Sequence, residues 1–183
     1  MSKTIQFLTQ GITHINETGT IFPCSKYVGK AMAKLMPLQR GETIIELGAG
    51  TGAITKELLK NLDKNQRLLC FEINETFCEI LKKIADKRIR VIKDNAGNFP
   101  RYLERKTQCV ISTLPIAIFS REEKNNLLSS IKESLSYKGK FIQFQYSLKD
   151  YMIIKKHFAR TEIKFIPLNI LPGFIYICTN SVA

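Results

Sequence analysis

Short apolar runs alternate along this chain with stretches whose apolar positions recur every three or four residues. The runs Thr43–Leu47, Arg67–Phe71, Ile89–Ile92, Cys109–Ser112 and Lys140–Tyr146 predict strands. Helical spacing predicts helices over Thr51–Leu62, Thr76–Ala85, Arg121–Ser136 and Tyr151–Ala159. Ile163–Pro167 and Phe174–Cys178 read as a terminal antiparallel hairpin joined through Leu171-Pro172-Gly173, and Lys138-Gly139 reads as a turn. Ahead of this core, Ile5, Leu8, Ile12 and Ile15 fall near one stripe, widened by Phe7. They predict a short amphipathic helix over Ser2–Ile15, weakened by Gly11. Its two readings are a lid packed on the core and a segment lying on a membrane. Pro23 then forces an extended entry, and Cys24 or Ser25 caps a helix running to about Met36, closed by Pro37 and Gly41. No repeat or linker marks a second domain. The expectation is one α/β domain over 1–183, with 1–36 as an N-terminal helical segment and 37–183 as the core.

The stretch Thr43 to Leu59, T-I-I-E-L-G-A-G-T-G-A-I-T-K-E-L-L, organises the rest. A buried strand runs into Gly48, Gly50 and Gly52 and then into a helix, the shape of a nucleotide-binding βα unit. One glycine serves the tight turn, one the approach of a ligand to the backbone, and one close packing of the helix. Glu46 stands where the strand should be apolar, so its carboxylate is expected to point into the mouth of the site. There it would repel a pyrophosphate and suit a cationic ligand or its amino group. Roughly twenty residues on, the second strand ends at Glu72, the position that binds ribose hydroxyls.

Composition narrows the class. The 183 residues fit one full core, and 44% hydrophobic content excludes a disordered chain. No apolar run approaches the roughly eighteen residues of a membrane span, and the N-terminus lacks the apolar stretch of a signal peptide. The five cysteines, Cys24, Cys70, Cys78, Cys109 and Cys178, include no C-x-x-C and read as reduced core residues of a cytosolic protein. Net charge is +12, which draws a protein to nucleic acid or to anionic lipid. His14 and His157 read as surface or packing residues, and no cluster has metal-ligand spacing.

E-L-G-A-G-T-G followed by a strand ending in Glu72 resembles motif I and the acidic strand end of class I S-adenosylmethionine-dependent methyltransferases. The resemblance runs from about Pro37 to Cys178. It implies a Rossmann-like, mostly parallel seven-stranded sheet with helices on both faces, the C-terminal antiparallel hairpin, and S-adenosyl-L-methionine at the carboxyl edge. Glu46, Gly48, Gly50, Gly52 and Glu72 would hold that cofactor. In the family an acidic or amide residue after the third strand contacts the adenine amino group. Asp94 and Asn95 stand there, with an ordinary Asx turn as the competing reading. Adenine methylases carry N/D-P-P-Y or Asn-x-Pro-aromatic after the fourth strand. Ser112-Thr113-Leu114-Pro115-Ile116 lacks both the amide and the aromatic, which weakens a nucleic-acid base as acceptor.

Three stretches together resemble the soluble bacterial phospholipid N-methyltransferases. G-T-I-F-P-C-S-K-Y is similar to their G-x-I-x-P-S-S segment, I-S-T-L-P to their I-S-G-L-P, and F-I-Q-F-Q-Y to their strand ending Q-F-T-Y. Cys24 replaces the usual Ser and Thr113 the usual Gly, leaving acceptor specificity open. The resemblance implies methylation of a phospholipid amine, phosphatidylethanolamine toward phosphatidylcholine, by a cytoplasmic protein peripherally bound to the inner face of the membrane. It places Ser112 beside cofactor and acceptor, and Tyr146 and Tyr27 at the acceptor pocket. Tyr146 would accept or relay the amine proton, or line the pocket. No residue stands out as a dedicated base. The core also resembles rRNA adenine dimethylases, so an RNA enzyme is the alternative.

Overall fold

The computed structural model describes residues 24–37, 43–169 and 171–181. The stripe at 2–15, His14, Pro23 and Gly41 lie outside the described residues.

Helix α1 (Lys26–Ala33) begins at Ser25, whose hydroxyl accepts the Val28 N–H. Strand β1 (Thr43–Leu47) leads through the glycine loop into α2 (Ala53–Asn61). Strand β2 (Arg67–Glu72) follows, then α3 (Glu75–Lys82), whose first turn is capped by the Asn74 side chain accepting from Phe77 N–H. Strand β3 (Ile89–Lys93) is followed by a 3-10 turn over Ala96–Tyr102 that periodicity did not reveal, because Pro100 interrupts any helical pattern. Strand β4 (Thr107–Ser112) and a short 3-10 turn (Ile116–Ile118) lead to α4 (Arg121–Ser134). There Ser120 and Glu123 form a capping box. Strand β5 (Leu135–Gln145), α5 (Tyr151–His157), β6 (Arg160–Ile166) and β7 (Gly173–Thr179) complete the chain.

One expected turn is absent. Strand β5 begins at Leu135, which pairs with Thr107 before the register shifts between Thr107 and Cys109. Lys138-Gly139 is therefore an irregularity inside a strand. A Cβ on Gly139 would lie 3.0 Å from Ser136 O, so the backbone passes too close for a side chain there.

The sheet has seven strands in the order β3-β2-β1-β4-β5-β7-β6. The first five are parallel, and β7 runs antiparallel to both β5 and β6. The expected Rossmann-like sheet and terminal hairpin are both present. The hairpin is inserted in reverse order, with β7 inside and β6 at the edge. Composition explains this: β7 reads F-I-Y-I-C and is buried on both faces, whereas β6 carries Arg160, Glu162 and Lys164 and stays exposed.

The core has two layers. Ile44, Leu68, Cys70, Cys109, Ile111, Ile142 and Ile177 pack under α1, α2 and α3. On the other face Ile45, Leu47, Phe71, Val110, Phe141 and Tyr176 pack under α4 and α5. Helices therefore cover both faces. Lys124 Nζ to Asp150 Oδ1, 2.7 Å and almost fully buried, ties α4 to the start of α5.

Candidate active site

Strands β1, β2, β4 and β5 are parallel, so their carboxyl ends and the loops that follow meet at one edge. The glycine loop is held from both sides. Gly48 and Ala49 N–H donate to Phe71 O at 2.9 and 3.2 Å. Thr113 N–H donates to Leu47 O at 3.2 Å, and Thr113 Oγ1 donates to Gly48 O at 2.8 Å. Leu114 covers Gly48, where a Cβ would come within 2.9 Å of Leu114 Cδ2. Gly50 adopts φ +55° and has nothing within 4 Å of its missing Cβ, so its backbone faces open space. Gly52 (φ +84°) differs: a Cβ there would sit 3.0 Å from Leu81 and 3.3 Å from Ile84, where α2 closes on α3. The three glycines thus meet three different surroundings: Leu114, open space, and the α2–α3 contact.

Glu72 lies at the end of β2, buried beneath this loop. Its Oε2 accepts Gly50 N–H at 2.7 Å, and its Oε1 accepts Ile73 and Asn74 N–H at 2.8 Å each. A carboxylate offers about four acceptor sites, so one remains, on Oε2. Glu72 therefore fixes the shape of the loop and keeps one acceptor site.

Glu46 does not open to the mouth of the site. It is 1% exposed and lies under α2, the helix that the glycine loop launches back over β1. Thr55 Oγ1 and Cys70 Sγ donate to its Oε2 at 2.8 and 3.1 Å, while Oε1 has no partner. Burial pushes its carboxyl from 4.5 up to about 7; the Cys70 and Thr55 donors oppose the rise, and the Glu72 charge adds to it.

Beyond β5 the same edge is built from residues distant in sequence. Cys24, just before α1, has its thiol pushed up to about 12 by burial and by the Glu46 charge, so it is no nucleophile. Tyr146 follows β5, with its ring edge-on to Phe144 at 5.0 Å. Burial, then the nearness of Cys24, raises its phenol, and a hydrogen bond from Asn169 Nδ2 at 3.5 Å opposes the rise. Asn169 Oδ1 also accepts Ser25 N–H at 3.0 Å, which fastens the head of α1 to the β6–β7 connection. Asn169 escaped the sequence reading. Its signal was an amide between Pro167 and Pro172 in a loop, but only the reversed hairpin carries that loop over Tyr146.

Other expected residues have different posts. Ser112 is fully buried, with Oγ accepting Leu114 N–H at 3.2 Å. It shapes the loop and has no surface to offer an acceptor. Asn95 Oδ1 accepts Gly97 N–H, so the Asx-turn reading holds for it. Asp94 accepts from Asn95 N–H, Asn98 Nδ2 and Tyr102 OH. Burial raises its carboxyl, but these three donors outweigh that and hold it below the usual range. Tyr27 is half exposed, with Lys26 Nζ 5.5 Å from its ring centre. His157 Nδ1 lies 2.9 Å from Ile153 O at the end of α5, a packing role. Among the described residues no group of His, Cys, Asp and Glu could hold a metal.

The cofactor implied by the resemblance is cationic at sulfur and at its amino group and carries a ribose diol. The site fits such a group on three counts: the orphaned buried Glu46 Oε1, the open backbone at Gly50, and the remaining acceptor on Glu72.

Comparison with known proteins agrees with this geometry. Residues 44–139 match the family described as Methyltransferase domain. The ornithine lipid N-methyltransferase of Singulisphaera acidiphila is 24% identical over 94% of this chain and 93% of its own length. The ribosomal RNA small subunit methyltransferase A of Treponema pallidum is 32% identical over 68% of this chain, but over only 44% of its own length. The crystal structure of precorrin-6y C5,15-methyltransferase from Geobacter metallireducens superposes with a TM-score of 0.71 at 16% identity, covering 84% of this chain and 88% of that one.

Proposed function

The chain belongs to the methyltransferase-domain family, and from that premise we propose that it methylates the amine of a lipid head group, such as that of phosphatidylethanolamine or an ornithine lipid. The protein is an S-adenosylmethionine-dependent methyltransferase with the class I fold. When bound, the cofactor supplies an activated sulfonium methyl group for in-line displacement by a nucleophile. On the protein side, Glu46 and the Gly48–Gly52 loop would hold its amino-acid end and Glu72 its ribose.

The observation that carries the lipid reading is the loop after β4. Its polar groups are spent inside the protein: Ser112 Oγ on Leu114 N–H and Thr113 Oγ1 on Gly48 O. Leu114, Pro115 and Ile116 supply neither an amide to bind a base amine nor an aromatic ring to stack on one. Beyond it stand Tyr146 and Asn169, a phenol and an amide suited to orienting a small amine. An amine reacts only unprotonated. The raised phenol of Tyr146 stays neutral, so it orients the nitrogen through a hydrogen bond while the proton leaves to water. The relative aligned over most of both chains is named for a lipid amine, which supports the same reading.

An RNA acceptor is the second reading. It draws on the ribosomal RNA relative and on a cleft of about 550 Å³ at the opposite, amino edge of the sheet, lined by Arg67, Lys87, Arg88, Arg90, Arg105 and Lys106. No described helix is long and apolar enough to cross a membrane; the lipid reading includes peripheral binding at the cytoplasmic face of the membrane. The test is incubation with methyl-labelled cofactor and either phosphatidylethanolamine vesicles or total RNA. Label in the lipid extract is the expected result. Label confined to RNA would overturn the proposal.

A further inference from the structure

Exposed apolar side chains scattered singly are ordinary, but a cluster around an opening is not. Of the ten large apolar side chains exposed among the described residues, six lie at the carboxyl edge: Tyr27, Ile118, Leu148, Met152, Leu168 and Leu171. Leu168 is 66% exposed and Met152 62%. They come from the head of α1, the loops after β4 and β5, the first turn of α5, and the β6–β7 connection. These segments are anchored. Ser25 Oγ donates to Leu168 O at 3.4 Å, Tyr151 N–H to Leu148 O at 3.0 Å, and Tyr176 OH to Ser147 O at 3.0 Å. The apolar tips thus stand out from a fixed backbone around Tyr146 and Asn169.

Around Tyr27, Leu148 and Leu168 the exposed charge has one sign, and the acidic first turn of α4, Glu122 and Glu123, adjoins only Ile118. Lys26 and Lys149 are exposed among the apolar tips. The stretches 24–27, 146–149 and 167–172 contain no Asp or Glu, and neighbouring Asp150 is buried in its pair with Lys124. Apolar tips flanked by lysines, with an aromatic ring under a lysine, form the pattern of a surface that enters the headgroup region of an anionic bilayer. The arginine- and lysine-lined cleft lies a strand length away, about 17–20 Å, at the other edge. One flat bilayer cannot contact both edges.

We propose that this rim, centred on Tyr27, Leu148, Met152, Leu168 and Leu171, is a membrane-docking surface that seats an anionic phospholipid bilayer against the mouth of the methyl-transfer site. Its use in catalysis rests on the lipid reading above; docking itself does not. A head group then reaches Tyr146 and Asn169 while its acyl chains stay in the membrane.

The test pairs the double variant Leu148→Asp/Leu168→Asp with Lys26→Glu/Lys149→Glu. Both are sedimented with vesicles of phosphatidylglycerol and phosphatidylcholine and with vesicles of phosphatidylcholine alone, without cofactor. The expected result is binding of the unaltered protein to the anionic vesicles, weakened roughly ten-fold or more in both variants, with unfolding midpoint and cofactor affinity unchanged. Turnover on a dispersed short-chain phosphatidylethanolamine should stay at the unaltered level while turnover on vesicles falls. Unchanged vesicle binding in both variants would overturn the proposal. So would a change confined to self-association in sedimentation velocity, which would give the rim to a second copy of the chain. Rim-dependent vesicle binding with label transferred only to RNA would uphold the docking surface and remove the lipid acceptor. Lipid methylation with rim-independent binding would do the reverse.

Discussion

Glu46 offers the sharpest test, because its burial makes a pH-dependent claim. Its carboxyl is raised from 4.5 to about 7, chiefly by burial, and a proton therefore binds the folded protein more tightly than the unfolded chain. The sign follows from linkage. The stabilising contribution is fully present below pH 4.5 and is lost as the pH rises through about 7. At about 1.36 kcal/mol per tenfold change, the whole loss is about 3 kcal/mol. Glu46→Gln keeps the size of the side chain and an acceptor for Thr55, but it cannot ionise. Urea unfolding of both proteins without cofactor, at intervals from pH 4.5 to 8, should show the variant gaining on the unaltered protein by about 3 kcal/mol across that range. A stability difference that stays flat across the range would refute the reasoning. The same group should sense the cofactor. A bound ammonium near Oε1 favours the carboxylate, so binding near pH 6 should release a proton, seen as a buffer-dependent heat in calorimetry. Glu46→Gln should bind cofactor more weakly and lose that proton release.

Four further outcomes follow from the geometry. Gly50→Val puts a β-branched side chain at φ +55° into the open space facing the ligand, and cofactor affinity by calorimetry should fall ten-fold or more, about 1.4 kcal/mol. Gly52→Val instead drives into Leu81 and Ile84, so it should lower the urea midpoint. Asp150→Ala leaves Lys124 charged and buried without its partner and should cost about 3–5 kcal/mol of stability by denaturation. Tyr146→Phe removes the hydroxyl beside Asn169, and turnover on phosphatidylethanolamine vesicles should drop while a cofactor titration is nearly unchanged; unaltered turnover would return Tyr146 to a packing role.

The glycine-loop half of the proposed site was legible because it is local. Gly48, Gly50, Gly52 and Glu72 lie within one βαβ unit, where the spacing of glycines and the end of the next strand dictate geometry without distant partners. Strand positions were legible for the same reason, since a run such as Phe174–Cys178 buries both faces wherever it pairs. What the sequence could not supply was contact across the chain. Glu46 reads as open to the mouth of the site until α2 is folded over it, and its depth, not its position, sets its protonation. Ser112 reads as an acceptor contact until burial assigns its hydroxyl to Leu114 N–H. Lys138-Gly139 reads as a turn until Thr107 supplies Leu135 with a strand to pair against. Tyr146, Asn169, Ser25 and Cys24 span nearly the whole chain and meet only because β7 slots between β5 and β6. Periodicity records which face a residue wants to bury; pairing order and register are fixed by the lowest free energy of the whole sheet, and they decided which residues meet beyond β5.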